Sequence, residues 1–167
     1  PMPPVVTGGA LIIPKGLLHI LMGDSSSETF GSGDRTAVEY VAMEAVMQIE
    51  TSLGYQPKDV SAVKCGYDIE SYVPVARRSR PTACALRMIE VKGRAKGATT
   101  VTVSKNEILT ALNKLEEFIL AIVEVDGKDT HTIYLKHPFK NAPDFSATSV
   151  NYDIQDLIAE SEILYQK

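Results

Sequence analysis

Between residues 34 and 53 the apolar positions return every three to four residues. Turned at about 100° per residue, Val38, Ala42, Ala45, Val46, Ile49 and Leu53 fall on one stripe, with Tyr40, Glu44 and Gln48 away from it. The spacing predicts a helix with Asp34 as its N-cap and Gly54 as a left-handed stop. Glu39 lies on the flank of that stripe, where a half-buried carboxylate costs free energy unless it reaches water or meets a cation. The period then shortens to two, predicting strands over 67–73 and 84–91 and a β-branched strand over 99–103. Ser104-Lys105-Asn106-Glu107 is a capping box that opens a second helix running to about residue 114. Residues 118–125 are almost continuously apolar, as expected of a strand covered on both faces. The turn Asp126-Gly127-Lys128 leads into a shorter strand near 131–135, forming a hairpin. A loop over 136–149 contains Pro138 and Pro143, and an amphipathic helix over 152–165 closes the chain with Ile154, Leu157, Ile158, Ile163 and Leu164.

This order divides the chain into an N-terminal arm or linker over 1–33 and one domain over 34–167, with a core at 34–125 and an extension at 126–167. The arm is rich in proline at its start and polar from Asp24 to Gly33. With 167 residues, 44% hydrophobic and 23% charged, the chain can bury one real core. Its net charge of −4 offers no general attraction to nucleic acid, so any such contact has to be local. Cys65 and Cys84 have neither zinc-ligand spacing nor disulfide density, and they read as core thiols in a reducing, cytoplasmic setting. The apolar runs are shorter than the roughly 20 residues of a membrane span, and no secretory signal is evident. A start at Pro1 suggests a piece of a longer polypeptide.

Charge placement adds the chemistry. In Ile89-Glu90-Val91-Lys92-Gly93, strand alternation sends Glu90 and Lys92 to one face and Ile89 and Val91 to the other. Asp68, on the preceding strand, can share that face. Two carboxylates and a lysine are a minimal set for metal-dependent phosphodiester cleavage: the acids hold a hard cation such as Mg²⁺, and the lysine orients water or steadies phosphate charge. A plain Glu90–Lys92 ion pair, with Asp68 satisfied by backbone amides, is the structural alternative. Arg77, Arg78 and Arg80 form the most basic loop, and Arg94 and Lys96 a basic turn; both can lie along phosphates, although a solvated loop is the commoner meaning of such runs. His19 reads as a packed histidine, and His131 and His137 lack a second close metal ligand.

Helix, three strands, helix, strand is the common core of restriction-endonuclease-like, PD-(D/E)XK proteins. Gly66-Tyr67-Asp68-Ile69-Glu70-Ser71, Ile89-Glu90-Val91-Lys92-Gly93-Arg94 and Asn106-Glu107-Ile108-Leu109-Thr110-Ala111-Leu112-Asn113 resemble the domain DUF3883, or NO VEIN C-terminal domain, over about residues 34–125. The resemblance implies an α/β (α+β) fold with an αβββαβ core, a central mixed sheet flanked by helices, and an added C-terminal hairpin and helix. It assigns Asp68 and Glu90 as ligands of Mg²⁺ or Mn²⁺, the Val91 carbonyl as a further ligand, Lys92 as the catalytic lysine, and Glu39 as an acid completing the metal shell directly or through water. The proline of the superfamily's first motif is absent here, with Tyr67 before Asp68. Asn106 and Glu107 resemble a family signature as well; their simplest role is the capping box, and the resemblance gives both a secondary one facing substrate.

The implied partners are DNA and a helicase or ATPase part of the same or an associated polypeptide, with a homodimer among the expected assemblies and no membrane. Two functions follow: a Mg²⁺-dependent deoxyribonuclease directed by its helicase, in a defence or restriction setting for some relatives, or a nuclease-fold module that no longer cuts and binds DNA or docks a partner.

Overall fold

The computed structural model describes residues 32–78 and 85–167. The predicted arm up to residue 31, with Arg80 and Cys84, lies outside them. Apart from the first residues of α1, the elements that follow lie in one compact unit, Thr36–Lys167.

Helix α1 spans Ser32–Ser52 and stops at Gly54, whose φ of +78° is the expected left-handed turn. The strands are β1 (Gln56–Asp59), β2 (Ile69–Tyr72), β3 (Leu86–Ala95) and β4 (Thr100–Ser104); α2 (Lys105–Asn113) follows. Then come β5 (Phe118–Asp126), β6 (Asp129–Lys136), β7 (Ser149–Asp153), α3 (Ile154–Glu160) and β8 (Glu162–Gln166). Six of them form a mixed sheet in the order β1-β2-β3-β5-β6-β8, in which β3 and β5 run parallel. β4 and β7 form a separate two-stranded sheet.

The central sheet is covered on both faces, which explains the apolar run in β5. Its Ile119, Ala121, Val123 and Val125 pack with Ala42 and Val46 of α1, while Phe118, Leu120 and Ile122 pack with Val101, Val103, Ile108 and Leu157 of the small sheet, α2 and α3. The mixed α+β class and the flanked central sheet are as the sequence implied. Among the described residues no helix is long and apolar enough to cross a membrane.

Three assignments change. The three strands preceding α2 in the central sheet are β1, β2 and β3; residues 99–103 instead pair with β7, burying Val101 and Val103 over the second core. β1 is exposed at three of its four positions and contains Pro57, so it shows no apolar alternation and is held by pairing at the sheet edge. The expected basic turn after Lys92 is strand as far as Ala95, because β3 pairs with β5 from Met88 to Ala95. The C-terminal helix is a single seven-residue element: Asp153 caps α3 by accepting from the Gln155 and Asp156 amides, and after Ser161 the chain turns extended and pairs with β6 as β8. Tyr165 then meets Tyr134 with ring centroids 5.3 Å apart, a contact across strands that helical periodicity in sequence does not reveal.

Candidate functional site

β2 begins at Ile69, paired with Ile89, and beyond that pair β3 runs on with β5 on one side only. Asp68 covers the step. Its amide donates to the Ile89 carbonyl at 2.9 Å, and its Oδ2 accepts from the Val91 amide at 3.0 Å, so a carboxylate oxygen takes the place of the missing strand. The register carried one residue further sets Asp68 opposite Glu90, on one face of the sheet. The carbonyl of Val91 leaves the strand on the same edge as its amide, beside Asp68.

Two glycines permit this placement. Gly66 has a φ of +96°, and a Cβ there would fall on Thr110 Oγ1 and within 3.2 Å of Asn106 Nδ2, so the approach to Asp68 lies directly against α2. On the other face, a Cβ on Gly93 would come within 2.9 Å of both Ala42 Cβ and the Val38 carbonyl, and only glycine lets α1 sit that close to β3.

Glu90 is 3% exposed. Its Oε1 lies 2.6 Å from Lys92 Nζ, and the same ammonium is 2.8 Å from Glu107 Oε2 at the start of α2. Glu107 completes the capping box as well: its Oε2 accepts from the Ser104 amide at 3.0 Å, and its own amide donates to Ser104 Oγ at 3.3 Å. Nearby, the Tyr67 hydroxyl donates to Glu70 Oε1 at 2.9 Å.

Three carboxylates thus crowd one ammonium in a poorly hydrated place. Burial pushes the Glu90 carboxyl up to about 8, against the opposing pull of Lys92 and with Asp68 and Glu107 adding to the rise. Asp68 is also raised, by burial first, although the Val91 amide and Lys92 pull the other way. For Glu107, burial is outweighed by Lys92 and Ser104, and its carboxyl stays below the ordinary value. Lys92 is raised, since Glu90 and Glu107 together outweigh its own burial.

Asp68 and Glu90 are neighbouring carboxylates held at a cost in charged form, and the Val91 carbonyl shares their edge. Mg²⁺ typically uses one or two carboxylates and keeps several waters, so these residues fit it. Among the described residues no group of three histidine, cysteine or acidic side chains is placed to hold a metal, so a richer protein shell is not built here.

Residues 38–135 match the family described as Protein NO VEIN, C-terminal, more than half of the 167-residue chain. The chain belongs to the NO VEIN C-terminal family. No curated protein matches it. No solved structure matches it. The family's span reaches from α1 into β6 and takes in Asp68, Glu90, Lys92 and Glu107.

Within this NO VEIN C-terminal domain the structure gathers Asp68, Glu90, Val91 and Lys92 and leaves Glu39 apart. Glu39 is exposed, and its helix packs on the Ile89 face of the sheet while Glu90 and Lys92 point to the other. Of the basic candidates, Arg78 donates to the Val73 carbonyl at 3.0 Å and the Tyr72 hydroxyl at 3.1 Å, and Lys96 pairs with Asp126 at 2.6 Å. Arg77 is exposed, and Arg94 lies within β3 opposite Glu124, on the face of Lys92. Asn106 is exposed at the head of α2, against Gly66. Glu107, a helix cap with a secondary role facing substrate in the sequence, is brought by the fold into the cluster as a partner of Lys92. Its capping-box position was the available signal, but its pairing with Lys92 needs the long-range packing of α2 over β3.

Proposed function

We propose that this domain is a divalent-cation-dependent nuclease module that hydrolyses phosphodiester bonds in DNA, directed to its substrate by a helicase-type ATPase in the same or an associated polypeptide. The observation that carries the reading is the shared face of Asp68, Glu90 and Lys92, where two carboxylates are held in a state that favours taking up positive charge. Asp68 and Glu90, with the Val91 carbonyl, would hold Mg²⁺ or Mn²⁺. The bound ion would supply Lewis acidity and an acidified water. Lys92 would orient the attacking water and steady the charge gathering on the phosphate oxygens. Two copies would serve to cut both strands, and the cytoplasm is the compartment that accompanies this reading. Purified protein is to be incubated with plasmid and single-stranded DNA in Mg²⁺ or Mn²⁺: cleavage is expected, and Glu90→Gln and Lys92→Ala should each abolish it. Cleavage that survives both substitutions refutes the assignment.

The second reading is a module that no longer cuts and serves its helicase by binding DNA or docking a partner. What favours it is the commitment of Lys92 to two carboxylates; Arg78 and Lys96, tied to partners within the fold, favour partner docking over DNA contact. Calorimetric titration with Mg²⁺ and Mn²⁺ in the presence of DNA separates the two, because a cutting site binds one of the ions and a docking module binds neither.

A further inference from the structure

Lys92 is anchored from two independent elements. Glu90 is two residues away on the same strand, whereas Glu107 approaches from α2, and the ammonium lies 2.6 Å and 2.8 Å from them. The second anchor is itself fixed: the capping box holds the Glu107 carboxylate to the Ser104 amide, and the Lys105 amide donates to the Thr148 carbonyl in the chain leading to β7. The first anchor has a competing duty, because Glu90 also stands beside Asp68 in the pair suited to a cation.

We propose that Glu107 is the positioning residue of Lys92, holding the ammonium in the site whenever Glu90 is drawn to another partner. A lysine side chain has four rotatable bonds and many rotamers, so an ammonium released by Glu90 alone would sample many positions. A charge-assisted bond from a rigid helix start prevents that. The occasion on which Glu90 is drawn away rests on the cation reading above; the clamp itself rests on the distances. The capping function and the clamp are separable by chemistry, since a glutamine at this place still completes a capping box but carries no charge.

The test follows the ¹⁵N-detected ammonium signal of Lys92 in the full 167-residue chain, which is visible when the protons are held in hydrogen bonds and is assigned by its disappearance in Lys92→Arg. The signal should persist in Glu90→Gln, where Glu107 alone holds the lysine, and vanish in the double variant Glu90→Gln/Glu107→Gln. It should persist in Ser104→Ala, which loosens the cap and leaves the Glu107 charge. Loss in Glu90→Gln alone, or persistence in the double variant, overturns the clamp; loss in Ser104→Ala would reduce Glu107 to a helix cap. Backbone amide shifts over 105–113 report whether α2 is intact in each case. Adding Mg²⁺ to Glu107→Gln tests the other reading separately: loss of the signal supports a cation taking Glu90, and an unchanged signal refutes that role for Glu90 while the metal-free arms still decide the clamp.

Discussion

Replacing Glu90 by Gln should make the protein more stable at alkaline pH and remove part of its pH dependence. The buried carboxyl is pushed from an ordinary 4.5 to about 8, by desolvation above all, with Lys92 opposing and Asp68 and Glu107 reinforcing. A carboxyl whose folded value is raised binds its proton more tightly in the native state. Its contribution is therefore fully present below pH 4.5 and is lost as pH rises through about 8. At about 1.4 kcal/mol per decade, the loss across that window has an upper limit of about 5 kcal/mol, and the shared equilibrium with Lys92 reduces it. Urea unfolding at pH 5, 6.5, 8 and 9, in chelated buffer, measures it directly. The wild-type and Glu90→Gln proteins should be close in stability at pH 5 and separate progressively in favour of the variant by pH 9. Comparing the two cancels the titration of distant groups. A difference that stays constant within about 1 kcal/mol from pH 5 to 9 would refute the account of Glu90 as a carboxylate held against its preference. Mg²⁺ at pH 8 should narrow the gap by stabilising the wild type alone.

Two further outcomes follow from the packing. Glu50 is fully buried and accepts two bonds, at 2.9 and 3.0 Å, from Arg87, whose guanidinium lies over the Tyr55 and Tyr134 rings; Arg87→Met should cost about 3–5 kcal/mol by leaving a buried charge unpaired, and Glu50→Met/Arg87→Met should regain a large part of it in chemical denaturation. Gly66→Ala should cost on the order of 1–3 kcal/mol, through a left-handed backbone and a collision with Thr110, and adding Thr110→Ala should recover only the collision, as read by thermal unfolding.

Much of this fold is legible in sequence because its signals are local. The 3.6-residue stripe of α1, the capping box of α2 and the β5–β6 turn each specify their element without help from the rest. The face shared by Glu90 and Lys92 follows from alternation alone, and Asp68 from the neighbouring strand. What escapes is set by pairing over long distances. β1 has no apolar alternation because it is an exposed edge, and the strand at 100–104 resembles a central strand although its partner is β7, some fifty residues on. Ile163, Leu164 and Tyr165 continue a helical stripe in sequence, yet the free edge of β6 takes them as a strand. Glu39 misled in the opposite way. Its position on the flank of a stripe suggests a half-buried acid, but the helix turns it outward on the far side of the sheet from Glu90.

The carboxylate of Asp68 that closes the open end of β2 has a consequence for how such a domain can change over time. Removing it strands the Val91 amide, so an alanine there would damage the sheet whether or not the domain ever cut DNA. Asparagine keeps an oxygen for that amide and gives up only the charge. A lineage that abandoned cleavage would still be under pressure to keep an acceptor at this position, and an aspartate found there reports on the integrity of a sheet edge as much as on chemistry.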